Sequence, residues 1–130
     1  MRNRAGGLLI ENGKILLIHR IKNMNGERKE YYVVPGGGIE EKENIKEATI
    51  RELKEETGLN VKLIKNEPLI TFKTEKGNQY FSLINKVSGV LGTGDGPEFN
   101  DPAYKNMGEF ILEFIDINDI IEMKINMVPD

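Results

Sequence analysis

Three glutamates, spaced to share one side of a helix, are the residues of this sequence best suited to chemistry. Glu55 follows Glu52 by three residues and Glu56 follows it by four. On a helix, the apolar stripe that begins with Ile45 and Ala48 continues as Glu52 and Glu56. Carboxylate oxygens are the ligands that Mg²⁺ and Mn²⁺ prefer, so this pattern indicates a site for a divalent cation.

Helix energetics alone disfavour this arrangement. Each like-charge pair three or four residues apart costs about 0.2–0.5 kcal/mol, and an anion near a helix C-terminus costs about 0.3–1 kcal/mol more. Arg51 and Lys54 offset part of this cost, although we expect them to point to other sides of the helix. The alternative is a solvated acidic face, which is the usual explanation for a run of charge. A bound dication would instead convert the repulsion into attraction.

Composition narrows the class of protein. The chain has 130 residues, which predicts a single domain over residues 1–130. Its 18 basic and 21 acidic residues give a net charge of −3, which argues against a broad nucleic-acid-binding surface. The hydrophobic content of 38% is enough for a compact core and excludes a disordered chain. Seven of the 16 glutamates lie between Glu40 and Glu56, so the acidic charge is concentrated.

Cysteine and histidine usage excludes several kinds of site. There is no cysteine, hence no disulfide, zinc–thiolate site or thiol nucleophile, and the single histidine, His19, excludes a multi-histidine metal cage. The apolar runs stop after three or four residues, too short for a membrane span. We therefore expect a soluble, cytoplasmic protein with no membrane partner.

Local signals place the glutamates on a well-capped helix between strands. Asn44 and Glu47 have capping-box spacing and Gly58 suits a left-handed C-terminal cap, so the helix is predicted from Asn44 to Thr57. Asn12-Gly13 predicts a hairpin turn. We interpret residues 22–29 as a polar loop, residues 35–38 as a break in regular structure, and residues 88–104 as a long surface loop. Strands are predicted at residues 8–10, 14–21, 30–34, 61–65, 69–75, 79–87 and 110–117, with a turn at 76–78 and a short helical or irregular end.

The spacing around the helix resembles the Nudix box, G-x5-E-x7-R-E-U-x-E-E-x-G-U with U aliphatic. Every fixed position is matched within Gly37–Leu59, which is under a fifth of the chain. Lys42 departs from the family at a position where many members have a loop glycine, and no Trp precedes the Pro-Gly-Gly. The matched residues are Gly37, Glu43, Arg51-Glu52-Leu53, Glu55-Glu56 and Gly58-Leu59.

This resemblance implies an α+β fold, the Nudix-type α/β/α sandwich around a mixed β-sheet. The sequence stops near the point where members commonly begin a C-terminal helix, so that helix could be lacking. The implied activity is Mg²⁺- or Mn²⁺-dependent hydrolysis of the pyrophosphate bond in a nucleoside diphosphate linked to another moiety, by attack of water at phosphorus. The implied partner is therefore a small nucleotide substrate, and a homodimer is common in the family.

Individual roles follow from the same resemblance. Glu52, Glu55 and Glu56 match the metal-binding carboxylates, one of which would also act as general base. Glu43 matches the glutamate that pairs with the box arginine, here Arg51. The glycines would bring backbone close to metal or phosphate, with Gly37 as a further metal contact, although an ordinary strand-to-helix loop is the alternative. These glycines are Gly36, Gly37 and Gly38.

Outside the box the candidates are weaker. Glu98, in the long loop, is the candidate for a further catalytic acid, with Asp95 and Asp101 behind it and an ordinary loop acid as the alternative. Arg20 could contact phosphate, but a surface arginine is the commoner fate, and we expect His19 to be structural or exposed. Most aromatic residues on strands should pack in the core rather than stack on a base. The candidates for stacking on a base are among Tyr31, Tyr32, Phe72, Tyr80, Phe81 and Phe99, most of which lie on predicted strands.

Two other functions remain open from sequence. A non-catalytic Nudix-like sensor of nucleotide sugars is one, although such modules usually lose a box acid and none is lost here. The other is a small α+β domain whose acidic helix has no site. The box specifies neither the leaving moiety nor the general base, so nucleoside triphosphates, nucleotide sugars such as ADP-ribose and dinucleoside polyphosphates all remain candidate substrates.

Overall fold

A computed structural model of the chain describes residues 2–94 and 108–123, without the side chains of residues 24 and 121–123. Within these residues there are eight strands and two helices. In chain order these are β1 (Arg4–Glu11), β2 (Lys14–Met24), β3 (Glu27–Val33), β4 (Gly36–Gly38), α1 (Ile45–Thr57), β5 (Leu59–Leu63), β6 (Ile70–Thr74), β7 (Gly77–Gly89), β8 (Glu109–Asp116) and α2 (Ile117–Met123).

The strands form one mixed sheet in the order β3-β2-β1-β7-β5, with β4 paired to β1, β6 to β7 and β8 to β2. The β1–β7 pairing is parallel, and the other pairings are antiparallel. Leu8 and Leu9 are neighbours in β1 and join different core clusters, because successive side chains of a strand point to opposite faces. Leu53 of α1 packs in the Leu9 cluster, and Ile120 of α2 packs against the Leu8 cluster.

The predicted α+β sandwich is therefore confirmed, with one helix against each face of the sheet. The predicted short helical end is present as α2, Ile117–Met123. No helix within residues 2–94 and 108–123 is long and apolar enough to cross a membrane.

Two Asn-Gly turns organise β1, β2 and β3. Asn12 and Gly13 have φ of 52° and 75°, the positive values that a two-residue hairpin turn requires, so this prediction is confirmed. Asn25 and Gly26 have φ of 52° and 81° and make a second hairpin of the same kind. The predicted polar loop over residues 22–29 is therefore wrong, because β2 runs to Met24 and β3 begins at Glu27. The residues of this hairpin are polar because it extends into solvent, and polar composition is also typical of a loop.

The three consecutive glycines form a strand rather than a break. Gly36, Gly37 and Gly38 pair in antiparallel register with Gly6, Ala5 and Arg4 of β1. A side chain at Gly36 would collide with the backbone carbonyl of Ala5. The three consecutive glycines predicted irregular structure. Because glycine has no side chain, however, they allow β4 to approach β1 closely.

Helix α1 has the predicted caps. The Asn44 side chain accepts a hydrogen bond from the Glu47 amide at 2.8 Å, and the Glu47 carboxylate accepts one from the Asn44 amide at 3.1 Å. Gly58 ends the helix in the left-handed conformation, with φ 83°. These caps fix both ends of the helix that carries the three glutamates.

Beyond α1, the predicted strands exist with shifted ends. β5 starts directly after Gly58, the β6–β7 turn is at residues 75–76 rather than 76–78, and β7 continues to Gly89. The predicted loop at 88–104 therefore begins later, and its residues 95–104 lie outside the described residues.

Candidate active site

Helix α1 carries Glu52, Glu55 and Glu56, and the carboxylates of Glu52 and Glu56 lie against β4. Their burial differs: the Glu52 side chain is 13% exposed and that of Glu55 is 34% exposed, whereas Glu56 is a buried residue. The carboxylates that continue the apolar stripe, those of Glu52 and Glu56, are thus the more buried pair. This placement agrees with a functional cluster rather than a fully solvated acidic face.

Arg51 is the cation that holds two of these acids together. Its Nη1 donates to Glu52 Oε1 at 2.9 Å and to Glu55 Oε2 at 3.2 Å. The expectation that Arg51 points to another side of the helix is therefore wrong. Its long side chain bends back across the helix surface, so that one guanidinium nitrogen offsets the repulsion between the two carboxylates.

Glu43 fixes Arg51 from the loop before the helix. Arg51 Nε and Nη2 donate to the two oxygens of Glu43 at 2.7 and 3.0 Å, and Nη2 also donates to the Gly38 carbonyl at 3.0 Å. The hydrogen bonds from Arg51 hold the pKa of Glu43 below its usual value, and those to Glu43 raise the pKa of Arg51. Both groups are thereby kept charged in a bidentate pair.

The β4 glycines lie directly against the acids. The Gly36 amide donates to Glu56 Oε1 at 2.8 Å. A methyl group at Gly37 would lie 2.5 Å from the Glu52 carboxylate, and one at Gly38 would collide with the Arg2 guanidinium. Gly36 therefore orients one glutamate and Gly37 leaves room for another, so an ordinary connecting loop does not describe this segment.

The donor chemistry of this cluster suits a divalent metal. Its three side chains are all carboxylates, and two of them, Glu52 and Glu56, converge on the Gly36-Gly37 backbone. Within residues 2–94 and 108–123, however, no three acidic or histidine side chains are already gathered tightly enough to hold an ion. Glu52 and Glu55 instead share Nη1 of Arg51, at 2.9 and 3.2 Å.

A cavity of about 240 Å³ adjoins Glu56 and Gly36. We call it the basic pocket. Apolar residues of β2, of β3 and of the segment between β3 and β4 form part of its wall. Three basic residues and two aromatic rings also line it, namely Arg4, Arg20, Lys22, Tyr31 and Phe110. These residues come from β1, β2, β3 and β8, so the pocket is built by strand pairing.

A larger groove of about 560 Å³ lies at the N-terminal end of α1. It includes Glu43 and Lys46 but none of the three clustered glutamates. The basic pocket is smaller, but Glu56 of the acidic cluster lies in its wall, so it is the better candidate for substrate.

The candidates outside the motif lie in the basic pocket, on the sheet, in the core or outside the described residues. Arg20 lines the basic pocket. His19 is bonded to Glu113 at 2.8 Å and stacks on Tyr32 with ring centroids 4.4 Å apart, and burial raises the pKa of the Tyr32 hydroxyl. Phe81 is in the core. Glu98, Asp95, Asp101 and Phe99 lie outside the described residues.

Sequence reasoning missed Arg4, Lys22 and Phe110. Arg20 of β2 is directly opposite Phe110 of β8 and Tyr31 of β3 in the sheet register. An Asn-Gly dipeptide at 25–26 could have predicted the contact with Tyr31. Nothing local predicts the pairing of β2 with β8, which follows from long-range topology.

A family model, the NUDIX domain, matches residues 1–116. The chain is 44% identical over 109 residues to an ADP-ribose pyrophosphatase of Methanocaldococcus jannaschii, covering 84% of this chain and 48% of that protein. This chain thus spans about half the length of that relative.

Solved structures show the same fold. An ADP-ribose pyrophosphatase of Streptococcus suis is similar with a TM-score of 0.59 and 19% identity, covering 91% of this chain and 75% of that one. A NUDIX-family hydrolase of Clostridium perfringens is similar with a TM-score of 0.64 and 20% identity, covering 92% and 83%.

Proposed function

The chain belongs to the NUDIX domain family, and from that premise we propose that it hydrolyses the pyrophosphate bond of a nucleoside diphosphate linked to another moiety. The observation that carries the proposal is the cluster of Glu52, Glu55 and Glu56, oriented by Arg51 and by the Gly36 amide. ADP-ribose is the first substrate to test, because the relative from M. jannaschii is named an ADP-ribose pyrophosphatase.

In this proposal the three glutamates would hold Mg²⁺ or Mn²⁺, and the bound ion would supply neutralisation of the diphosphate charge and a lower pKa of the attacking water. One of the three carboxylates accepts the proton of that water. Arg51 orients Glu52 and Glu55, and Glu43 keeps Arg51 in place. Positioning and electrostatic stabilisation thus supply most of the catalysis. Glu98 as a further acid stays a prediction.

We also propose that residues 1–130 form one domain, since all eight strands share one sheet. A homodimer and a cytoplasmic location stay predictions.

A hydrolysis panel tests the activity. Purified protein is incubated with Mg²⁺ or Mn²⁺ and ADP-ribose, other nucleotide sugars, nucleoside triphosphates or dinucleoside polyphosphates, and released nucleotide is separated by chromatography. We expect turnover of at least one class, with ADP-ribose the first expectation, and loss of turnover on chelation of the metal.

The same panel separates the catalytic proposal from the alternative of a sensor. Absence of turnover with every substrate and both metals would overturn the proposal. Binding of a nucleotide sugar in calorimetry, without turnover, would then favour the sensor.

A further inference from the structure

Gln79 of β7 carries a buried polar atom that the proposed mechanism does not use. The residue is 9% exposed, and its side-chain carbonyl oxygen, Oε1, accepts no hydrogen bond from any residue that the structure describes. A buried carbonyl that has lost its hydration and gained no partner destabilises the folded protein. This atom therefore calls for a partner outside the polypeptide.

A cavity of about 10 Å³ adjoins this residue, and we call it the β4 cavity. Its volume is about what one water molecule needs. Cavities that stay empty in proteins are apolar, whereas this one is bounded by an amide side chain, an arginine and glycine backbone. Two residues from each of β1, β4 and β7 define it: Arg4, Gly6, Gly36, Gly37, Gln79 and Phe81.

β1 lies between β7 and β4, and Gly6 leaves room for side chains to cross it. Gly6 pairs with Phe81 on one side and with Gly36 on the other. A methyl group at Gly6 would lie 2.9 Å from the Phe81 ring and 3.0 Å from the carbonyl oxygen of Pro35. Side chains of β7 on this face thus reach over β1 to the residues that lead into β4. Gln79 is two residues before Phe81 and points to the same face.

Arg4 can supply a second hydrogen bond to a water in the β4 cavity. It pairs with Gln79 in the parallel β1–β7 register, so the two side chains share a face of the sheet, and both residues line the cavity. Buried waters typically make about three hydrogen bonds. Here the Gln79 carbonyl accepts, the guanidinium donates, and the peptide groups of Gly36 and Gly37 lie in the same wall.

The strand β4 connects this cavity to the acidic cluster. The Gly36 amide donates to Glu56 Oε1 at 2.8 Å, and Gly37 leaves the room that the Glu52 carboxylate occupies. A water that ties β4 to Gln79 limits the movement of both glycines. Gln79 thereby acts on the two carboxylates through β4, without touching them.

We propose that Gln79, together with Arg4, binds one buried water in the β4 cavity and is a positioning residue for Glu52 and Glu56. The water site depends only on the cavity and the buried carbonyl. The effect on turnover rests on the proposed function, because it requires the acidic cluster to be catalytic. It extends that function to a residue of β7, outside the Gly37–Leu59 motif.

Thermal melting of Gln79→Met tests the water site, because the sign of the change depends on whether the carbonyl is hydrogen-bonded. Met is similar to Gln in length but carries no strong acceptor. If a water bonds the carbonyl, the substitution removes a hydrogen bond, and the Tm should fall by about 3–6 °C. If the carbonyl has no partner, the substitution removes only an unfavourable buried polar group, and the Tm should rise. A Tm that rises or stays the same overturns the water site.

Asn85→Met is the matched control, because Asn85 is an exposed amide side chain on the same strand. Its Tm should stay within about 2 °C of that of the unmodified protein. A crystal structure of the unmodified protein provides a measurement that needs no variant. We expect an ordered water oxygen about 2.7–3.0 Å from Gln79 Oε1, and its absence at high resolution overturns the water site.

Steady-state kinetics with Mg²⁺ test the positioning role, using ADP-ribose or whichever substrate the hydrolysis panel identifies. In Gln79→Met, shown to be folded by circular dichroism, we expect kcat to fall about three- to tenfold with KM nearly unchanged. A variant that is only less stable would keep its kcat at a temperature where it is folded. An unchanged kcat, or a change confined to KM, overturns the positioning role.

Failure of the proposed function has a different signature. If the unmodified protein hydrolyses nothing, the proposed function is refuted and the positioning role with it. The Tm of Gln79→Met and the crystal structure still decide the water site in that case. Turnover by the unmodified protein together with a raised Tm in Gln79→Met keeps the enzyme and refutes the water site.

Discussion

The acidic cluster and the basic pocket meet at Glu56 but are built in different ways. The cluster and the glycines that orient it come from one segment, residues 36–56. The pocket gathers side chains from Arg4 to Phe110, on four separate strands. The reaction type is therefore encoded locally, whereas contacts beyond the reacting group depend on how distant strands pair.

Their side chains are also held by different forces. Arg51 makes hydrogen bonds to Glu43, Glu52 and Glu55 at 2.7–3.2 Å, which are directional and fix each carboxylate. Arg20 contacts the faces of the Tyr31 and Phe110 rings. Such contacts constrain the orientation of a guanidinium less strictly than hydrogen bonds do. Changes in the cluster should consequently alter turnover, and changes in the pocket should mainly alter substrate affinity.

The largest expected effect comes from Glu56→Gln. The amide oxygen can still accept the hydrogen bond from the Gly36 amide, so the fold should persist while the charge is lost. We expect kcat for ADP-ribose hydrolysis to fall by about 10²–10⁴-fold, measured from initial rates with Mg²⁺. Glu41→Gln, at an exposed position in the preceding loop, is the control, and near-normal turnover by Glu56→Gln would remove this glutamate from the mechanism.

Gly37→Ala should have the next largest effect. Its methyl group would lie 2.5 Å from the Glu52 carboxylate, so that carboxylate must move. A displacement of about 1 Å can cost on the order of 10²-fold in rate, and we expect kcat to fall by about 10- to 100-fold. Gly26→Asn serves as control, because Gly26 faces open space and Asn tolerates its positive φ. Equal rates in both variants would contradict the close approach of β4 to the cluster.

Phe110→Leu tests whether the basic pocket affects substrate affinity rather than turnover. Removal of the ring leaves Arg20 less constrained, and a cation–π contact is worth about 0.5–2 kcal/mol. We expect KM to rise about three- to tenfold with little change in kcat, and Phe110→Tyr to restore KM. A lower kcat at constant KM would show that the pocket contributes to the chemical step and would weaken the distinction between the two regions.

The smallest expected effect is on the pH dependence of stability. Arg51 lowers the folded-state pKa of Glu43 from its usual 4.5, so the pair stabilises the folded protein above about pH 4.5 and this contribution is lost as pH falls through the lowered pKa. Denaturant unfolding between pH 3 and 7 should show Glu43→Gln less stable than the unmodified protein at pH 6, with the gap closing under acid. A gap independent of pH would contradict the ion pair, and Glu41→Gln again provides the control.

Several features were predictable because neighbours in sequence create them. The capping box of α1 and the Gly58 cap depend on contacts within one helical turn. The Asn12-Gly13 turn depends on two residues that accept positive φ. The errors had a different origin: the β4 glycines become a strand only because β1 lies beside them, and polar residues 22–29 become a hairpin although no core covers them.

The family, the acidic helix and the identity of its candidate metal ligands could be predicted from residue spacing, because that spacing lies within a single loop and helix. The bridge from Arg51 to Glu52 and Glu55, and the contact of Arg20 with the Phe110 ring, could not be predicted in this way. The first depends on which way a long side chain bends, and the second on the pairing of strands some ninety residues apart. Local periodicity specifies neither, because both are selected by packing that forms only when the whole sheet is assembled.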